Sequence, residues 1–390
     1  MAGLIRDRQL EFALEKLEEM QSQGVKIHTW LYDMIIHTLC TIEEFDQVLR
    51  LMHYRLASGE LLISGTLWYR ILDTASRALH HEATTLAYNA RVETSYLNPP
   101  SGILINVLST AARHGDTRLA TSVLHTLSHR SGNPVQLHHY EALIETYVAA
   151  HDMRTALILL TTMTSAGHPP TEASTRPIYQ HLLAQRHRPA RALAILKELS
   201  EENKIIPITA INVIIETYVA QNSFPRAMDL YKNMQTYTTI HRPNTGTFNI
   251  LLRGCHRPGW KDTAMFLASE MVALKIPPDL LTYDRLILVC LNSGGLDDAW
   301  RYFQEMRTMG WWPRAGTADF LAKRACWVGD GRVWELEGEG KGNGVLRRKL
   351  DGFVENFWMG KARERIGDGS DEERQELDRK EETGESSRSD

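Results

Sequence analysis

The sequence predicts an all-α chain: an α-solenoid of stacked helix-turn-helix repeats of about 35 residues, wound as a right-handed superhelix. Three observations lead there. Apolar residues recur at helical spacing, the same residue types recur at fixed offsets, and helix-ending residues stand at two of those offsets. The stretch FNILLRGCHRPGWKDTAMFLASEMVALKIPPD, residues 248–279, holds one complete unit.

Counting from Phe248, Gly259 lies 11 residues on, Ala264 16, Met271 23 and Pro278 30. From Tyr283 the same offsets reach Gly294, Ala299, Met306 and Pro313; from Tyr140 they reach His151, Ala156, Met163 and Pro170. Ile211 is followed in that register by Asn222, Ala227 and Met234, and Ala318 by Gly329. The physics of a unit follows. A first helix starts at the anchor and runs for about ten residues, with Leu251 and Leu252 on its buried face. Glycine or asparagine at offset 11 suits the left-handed backbone that ends it. Alanine on the second helix lets two helices approach closely, and a large apolar residue fills the core a turn or two later. Proline closes the unit. One such hairpin cannot bury its own apolar face, so its neighbours must stack on it.

Earlier units follow the pattern more loosely. Leu104 anchors one, with Gly115 and Ala120 in place; Trp68 and Tyr32 anchor two more, with Gly59 27 after Tyr32. Tyr179 is expected to anchor a unit whose inter-helix turn, RHRPAR, is about three residues short. Ala13, Met20 and Gly24 fit a second helix without its first, as if the chain began within a repeat. Expected boundaries are residues 1–99 for degenerate repeats and 100–330 for the clear array. Residues 331–360 read as a linker with a capping helix, and 361–390 as a disordered charged tail.

Composition narrows the function. The chain has 390 residues, 43% hydrophobic and 24% charged, with a net charge of −4. Residues 1–99 carry 9 basic and 13 acidic side chains, residues 100–325 carry 23 and 18, and the last thirty carry 7 and 11. A mildly basic middle permits contact with a polyanion, but a bulk electrostatic binder of nucleic acid would be far more basic. No apolar run approaches the roughly 18 residues a membrane span needs. Cys40, Cys255, Cys290 and Cys326 are scattered without a CxxC, which fits a reducing compartment. Five acids among the first twenty residues do not suit a targeting peptide.

The offsets and the residues at them resemble the pentatricopeptide repeat family over about residues 10–330: Tyr-Asn-x-Leu-Ile, then Gly, Ala, Met and Gly-x-x-Pro-Asp. Here the pattern stands as FNILLRG…PG…A…EM…IPPD and as YDRLILVCLNSGGLDDAWRYFQEMRTMGWWPR. The resemblance implies binding of single-stranded RNA, one base per repeat, read by two or three side chains. The residue after the anchor would meet the base edge, helped by the residue after the closing proline. Carried over, the first positions are Glu141, Gln180, Asn212, Asn249 and Asp284; the matching second positions are Thr171 for Glu141, Asn244 for Asn212, Asp279 for Asn249 and Arg314 for Asp284. Asn212 with Asn244 is similar to the family's cytosine pair and Asn249 with Asp279 to its uracil pair. Glu141 and Arg314 depart from the usual choices, and Ile105, after Leu104, cannot read a base. The resemblance also implies a mitochondrial location and a role in organellar RNA processing, stability or translation.

Plainer readings stand beside these. An asparagine near a helix start is a good cap on its own account. The stripe of Met163, Met234, Met271 and Met306 reads as core. Trp311 and Trp312 read as packing between repeats. The sixteen histidines lack metal-ligand spacing, and no HxE with CxxC, GxxxxGK[ST] or GxSxG occurs. No cofactor, metal site or catalytic residue is therefore expected. The alternative function is a protein-binding helical scaffold, such as a respiratory-complex assembly factor or a mitoribosome-associated protein. No oligomeric state follows from the sequence.

Overall fold

The computed structural model describes residues 9–25, 27–57, 63–131, 135–237, 242–257 and 259–336. The expected capping helix after residue 345 and the charged tail lie outside them. Every regular element described is helical. Helix α1, Leu10–Ser22, is a second helix by register. Hairpins follow: α2 Thr29–Thr41 with α3 Phe45–Ala57, α4 Gly65–Arg77 with α5 His81–Ala87, and α6 Ser101–His114 with α7 Thr117–Ser131. Next come α8 Leu137–Ala149 with α9 Met153–Ser165, α10 Glu172–Leu183 with α11 Arg188–Glu201, and α12 Ile208–Ala220 with α13 Phe224–Lys232. Then come α14 Thr245–Gly254 with α15 Lys261–Ala273, α16 Leu280–Asn292 with α17 Leu296–Thr308, and the closing α18, Ala315–Val328.

The chain divides into two compact units between Arg242 and Pro243. In the first, each of α2, α4, α6, α8 and α10 packs against the first helix of the next repeat as well as against its own partner. In the second, α14 and α16 do the same, and α18 packs on α16. This is the stacking that an α-solenoid requires.

Backbone conformation is the most regular feature. Among the described residues, seven glycines and seven others have positive φ. Glu43, Leu79, Gly115, His151, Asn222, Gly259, Gly294 and Gly329 lie 11 residues after their anchors; Gly24, Ser95, Gly167, Asn203, Lys275 and Gly310 follow second helices. Most of these left-handed residues let the next amide donate to a carbonyl in the last helical turn, as from Asp116 to Ala111 (3.0 Å), Gly295 to Cys290 (2.9 Å) and Ile276 to Met271 (2.9 Å). Orphan carbonyls are thereby satisfied, and the chain reverses within two or three residues.

Packing follows the offsets. Phe248, Trp68, Leu104 and Ile211 are buried anchors. Ala13, Ala120, Ala156, Ala227, Ala264 and Ala299 are each 0% exposed, and so are Val48 and Thr84 in the looser early repeats. Met163, Met234, Met271 and Met306 are core, as expected. In the early repeats arginines take the methionine's place. Arg55, 0% exposed, lies 5.7 Å from the ring of its own anchor Tyr32 and pairs with Asp33; Arg91 lies 5.5 Å from the ring of Trp68. Trp312 meets Phe303 edge-on at 5.7 Å, in the packing role expected of it.

Two details differ from the sequence reading. First helices begin about three residues before the anchor, because the N-cap, not the aromatic residue, starts them: Asn244 caps α14 and Asp279 caps α16. The unit expected at Tyr179 is anchored instead by Thr175, whose helix α10 is capped by Thr171. Tyr179 drew attention as an aromatic residue, yet Ser174, Thr175, Ile178 and Leu182 are the residues α10 buries. On that register the RHRPAR turn is not short, but it contains no left-handed residue.

The left-handed positions make a graded stability series. Gly294→Ala should cost about 1–2 kcal/mol from backbone strain, since an added Cβ there meets nothing nearer than 3.9 Å. Gly115→Ala should cost more, because its Cβ would sit 3.0 Å from backbone atoms of Ala149 and Ala150. Lys275→Gly, at an exposed left-handed site (φ 56°), should stabilise by up to about 1 kcal/mol. Chemical denaturation of the three variants orders them.

Candidate nucleic-acid interface

The residue after each anchor is the fifth of its first helix, beyond the reach of an N-cap role. Asn212 is 8% exposed, Asn249 5% and Asp284 3%. Polar side chains at so buried a position need partners, and for Asn249 and Asp284 the N-terminus of the next first helix supplies them.

The Asn249 step is the most complete. Asn249 Nδ2 donates to the Asp279 carboxylate at 3.1 and 3.0 Å. The Thr282 hydroxyl lies 2.9 Å from Asn249 Oδ1 and 2.8 Å from Asp279 Oδ1, with one proton to share. Asp279 Oδ1 also accepts from the Thr282 backbone amide at 2.7 Å, capping α16. A carboxylate only accepts, so it fixes which end of the Asn249 amide faces it. One amide proton and one lone pair of Asn249 remain for another group. Burial alone pushes the Asp279 carboxyl up. Hydrogen bonds from Asn249 and Thr282 outweigh that and hold it below the usual carboxylate range.

The other steps share the geometry with different chemistry. Asp284 Oδ1 accepts from the backbone amide of Arg314 at 3.1 Å, while the Arg314 side chain is exposed. Glu141 Oε1 accepts from the Ser174 hydroxyl at 2.9 Å, and Ser174 forms a capping box with Thr171. Both carboxylates are thus taken by the neighbouring helix. Asn212 belongs to the first unit; Asn244 caps α14 in the second, accepting from Thr247 N at 2.9 Å. With Thr175 as anchor, the corresponding position on α10 falls to Arg176, whose guanidinium lies 5.5 Å from the Tyr179 ring, and not to Gln180. Asp33, at the same position on α2, is paired with Arg55.

Sequence reasoning missed a third member of the row, a Ser or Thr three residues after four of the N-caps: Ser174, Thr247, Thr282 and Thr317. All four are buried. The first three complete capping boxes, a signal legible as Thr-x-x-Ser, Asn-x-x-Thr and Asp-x-x-Thr. Among the described residues no group of three or more His, Cys, Asp or Glu could hold a metal, and no helix is long and apolar enough to cross a membrane.

Residues 101–234 match the model of a pentatricopeptide repeat-containing protein, and residues 266–317 that of the pentatricopeptide repeat domain. Both stretches are identified as pentatricopeptide repeats. Three pentatricopeptide repeat-containing proteins of Arabidopsis thaliana are similar to it. They are 35% identical over 65 residues, 29% over 119 and 27% over 96, covering 17%, 30% and 25% of this chain; the third is named as mitochondrial. The matches span 11%, 20% and 14% of those relatives' own lengths. Among solved structures, the maize pentatricopeptide repeat protein PPR10 matches with 16% identity and a TM-score of 0.37. Its complex with an 18-nt psaJ RNA element matches with 17% identity and a TM-score of 0.40; each match covers 90% of this chain and 54% of the other.

The Asp279 carboxyl should leave a mark on acid stability. Its folded pKa is depressed, so its contribution is present above the unfolded value near about 4. It is lost as pH falls through the folded value. Asp279→Asn keeps a capping side chain and should flatten that part of the stability-pH curve below about pH 4; an unchanged acid limb would contradict the assignment.

Proposed function

We infer that this pentatricopeptide repeat chain binds single-stranded RNA and reads bases at selected repeats, within organellar, and specifically mitochondrial, transcript processing, stability or translation. The observation that carries the reading is the Asn249 amide, oriented by Asp279 and Thr282 and left with one donor and one acceptor. Uracil offers an N–H flanked by carbonyl oxygens, which complements that pair, in keeping with what the family resemblance implies for Asn249 with Asp279. By its place in the sequence register Asn212 reads a cytosine. A polar base contact of this kind discriminates by about 1–3 kcal/mol. Asp284 and Glu141 offer acceptors that their own neighbours already use, and the exposed Arg314 guanidinium suits a phosphate. Base reading thus centres on Asn212 and Asn249, with Thr171 at a second position in the first unit and Arg314 at one in the second. The location in mitochondria rests on the family resemblance and on the name of one relative.

A second reading, a protein-binding scaffold, draws on the early repeats. There Asp33 is held by Arg55, and Tyr69 and Ile105 occupy the reading position. Selection from a random RNA pool with the full chain separates the two. Enrichment of a motif containing CU, weakened about tenfold or more by Asn249→Ala, is the expected result. No enrichment at low salt by a folded chain would overturn the RNA reading in favour of a protein partner.

A further inference from the structure

The sequence between Ala173 and Lys197 contains no acidic residue and five basic ones: Arg176, Arg186, Arg188, Arg191 and Lys197. Most of them surround the turn between α10 and α11, the one inter-helix turn among the described hairpins without a left-handed residue. Beside it is a cavity of about 330 Å³, formed by the α8–α9 turn, the start of α9, the end of α10 and the first half of α11. It lies within the first unit, at the far end of α10 from Arg176.

Its walls are cationic or neutral. His151, His181, Gln185, Arg188 and Arg191 line it, over an apolar floor that includes Leu182 and Ile195; no carboxylate contributes. Asp152, next to His151, is turned into the N-terminus of α9, where it accepts from the backbone and hydroxyl of Thr155 at 3.1 and 2.6 Å. Arg188 is held in place by donating to the His181 carbonyl (2.8 Å) and to Gln185 Oε1 (3.2 Å). Neither Arg188 nor Arg191 has a carboxylate partner among the described residues. The two imidazoles face each other with centroids 5.5 Å apart. Burial first, then the charges of Arg188 and His151, push the His181 pKa below the ordinary imidazole value. The cavity therefore carries uncompensated positive charge from two guanidiniums, a situation that a bound anion relieves.

We propose that this cavity binds a phosphate monoester carried on a nucleoside, with Arg188 and Arg191 holding the phosphate and the imidazoles adding donors or a stacking face. Two guanidiniums match a dianionic terminal phosphate. A cavity of about 330 Å³ falls in the range of small-ligand sites, and its apolar floor suits the organic part. The ligand has two sources, a free nucleoside monophosphate or the 5′-phosphorylated end of an RNA strand. The site is independent of base reading at Asn249.

Titration calorimetry of the full chain at about 0.15 M salt with adenosine 5′-monophosphate, inorganic phosphate and adenosine tests it. Saturable binding of the monophosphate, weaker binding of phosphate and none of adenosine are expected. Arg191→Gln, an exposed residue without a side-chain partner, should weaken binding about tenfold or more at unchanged helical content and Tm. Asn249→Ala should leave it intact. If RNA with a 5′-phosphate competes better than the same RNA with a 5′-hydroxyl, the strand end is the source; equal competition makes it the free nucleotide. Equal heats for the monophosphate and adenosine, or full binding by the folded Arg191→Gln chain, overturn the proposal.

Discussion

Most of this fold rests on one recurring backbone constraint: most of the described helices end on a left-handed residue that closes the last turn and reverses the chain. The reversal brings an alanine of the second helix against the first, and that alanine is fully buried in every clear repeat. Where the constraint is met by glycine it is nearly free. Where it is met by Glu43, Leu79, His151, Asn222 or Lys275 it costs strain that the surrounding packing offsets. Repeats with poor sequence agreement therefore still superimpose on the same turn geometry.

The polar row shows one set of side chains serving two ends. Asn249, Asp284 and Glu141 each reach from one first helix to the N-terminus of the next, so they join repeats as well as presenting polar atoms. Asparagine is suited to both tasks at once, because an amide retains a free donor and acceptor after its structural bonds are made. A carboxylate in the same place retains only acceptors, which repel a phosphate chain. On the proposed reading, the difference between a base-reading position and a joining position is one functional group.

The early repeats replace that arrangement. Arg55 and Arg91 occupy the place of the buried methionine and lie over their own anchor rings, and Asp33 neutralises Arg55 from the position where a selector would stand. A buried guanidinium requires such a partner, so selector and core are coupled by charge. These repeats keep the solenoid while giving up the polar row.

The helix pairs, their period and most buried positions were legible in the sequence, because apolar spacing and glycine or proline punctuation act locally. So were the contacts of Asn249 with Asp279 and of Asp284 with Arg314, since a fixed period places equivalent residues side by side, whereas Glu141 meets Ser174 and not Thr171. The first-helix starts were misread because an aromatic anchor is more conspicuous than an N-cap, and Thr175 was passed over for Tyr179 for the same reason. What the sequence alone determined is the repeat and which residues share a register. Only the tertiary structure decided that the selectors are tied to the next helix by Thr282 and Ser174, and that Asp33 is consumed by an arginine 22 residues away. It also decided that the basic run around Arg188 borders a cavity. Those outcomes depend on which side chains meet across stacked helices, and no local pattern encodes that.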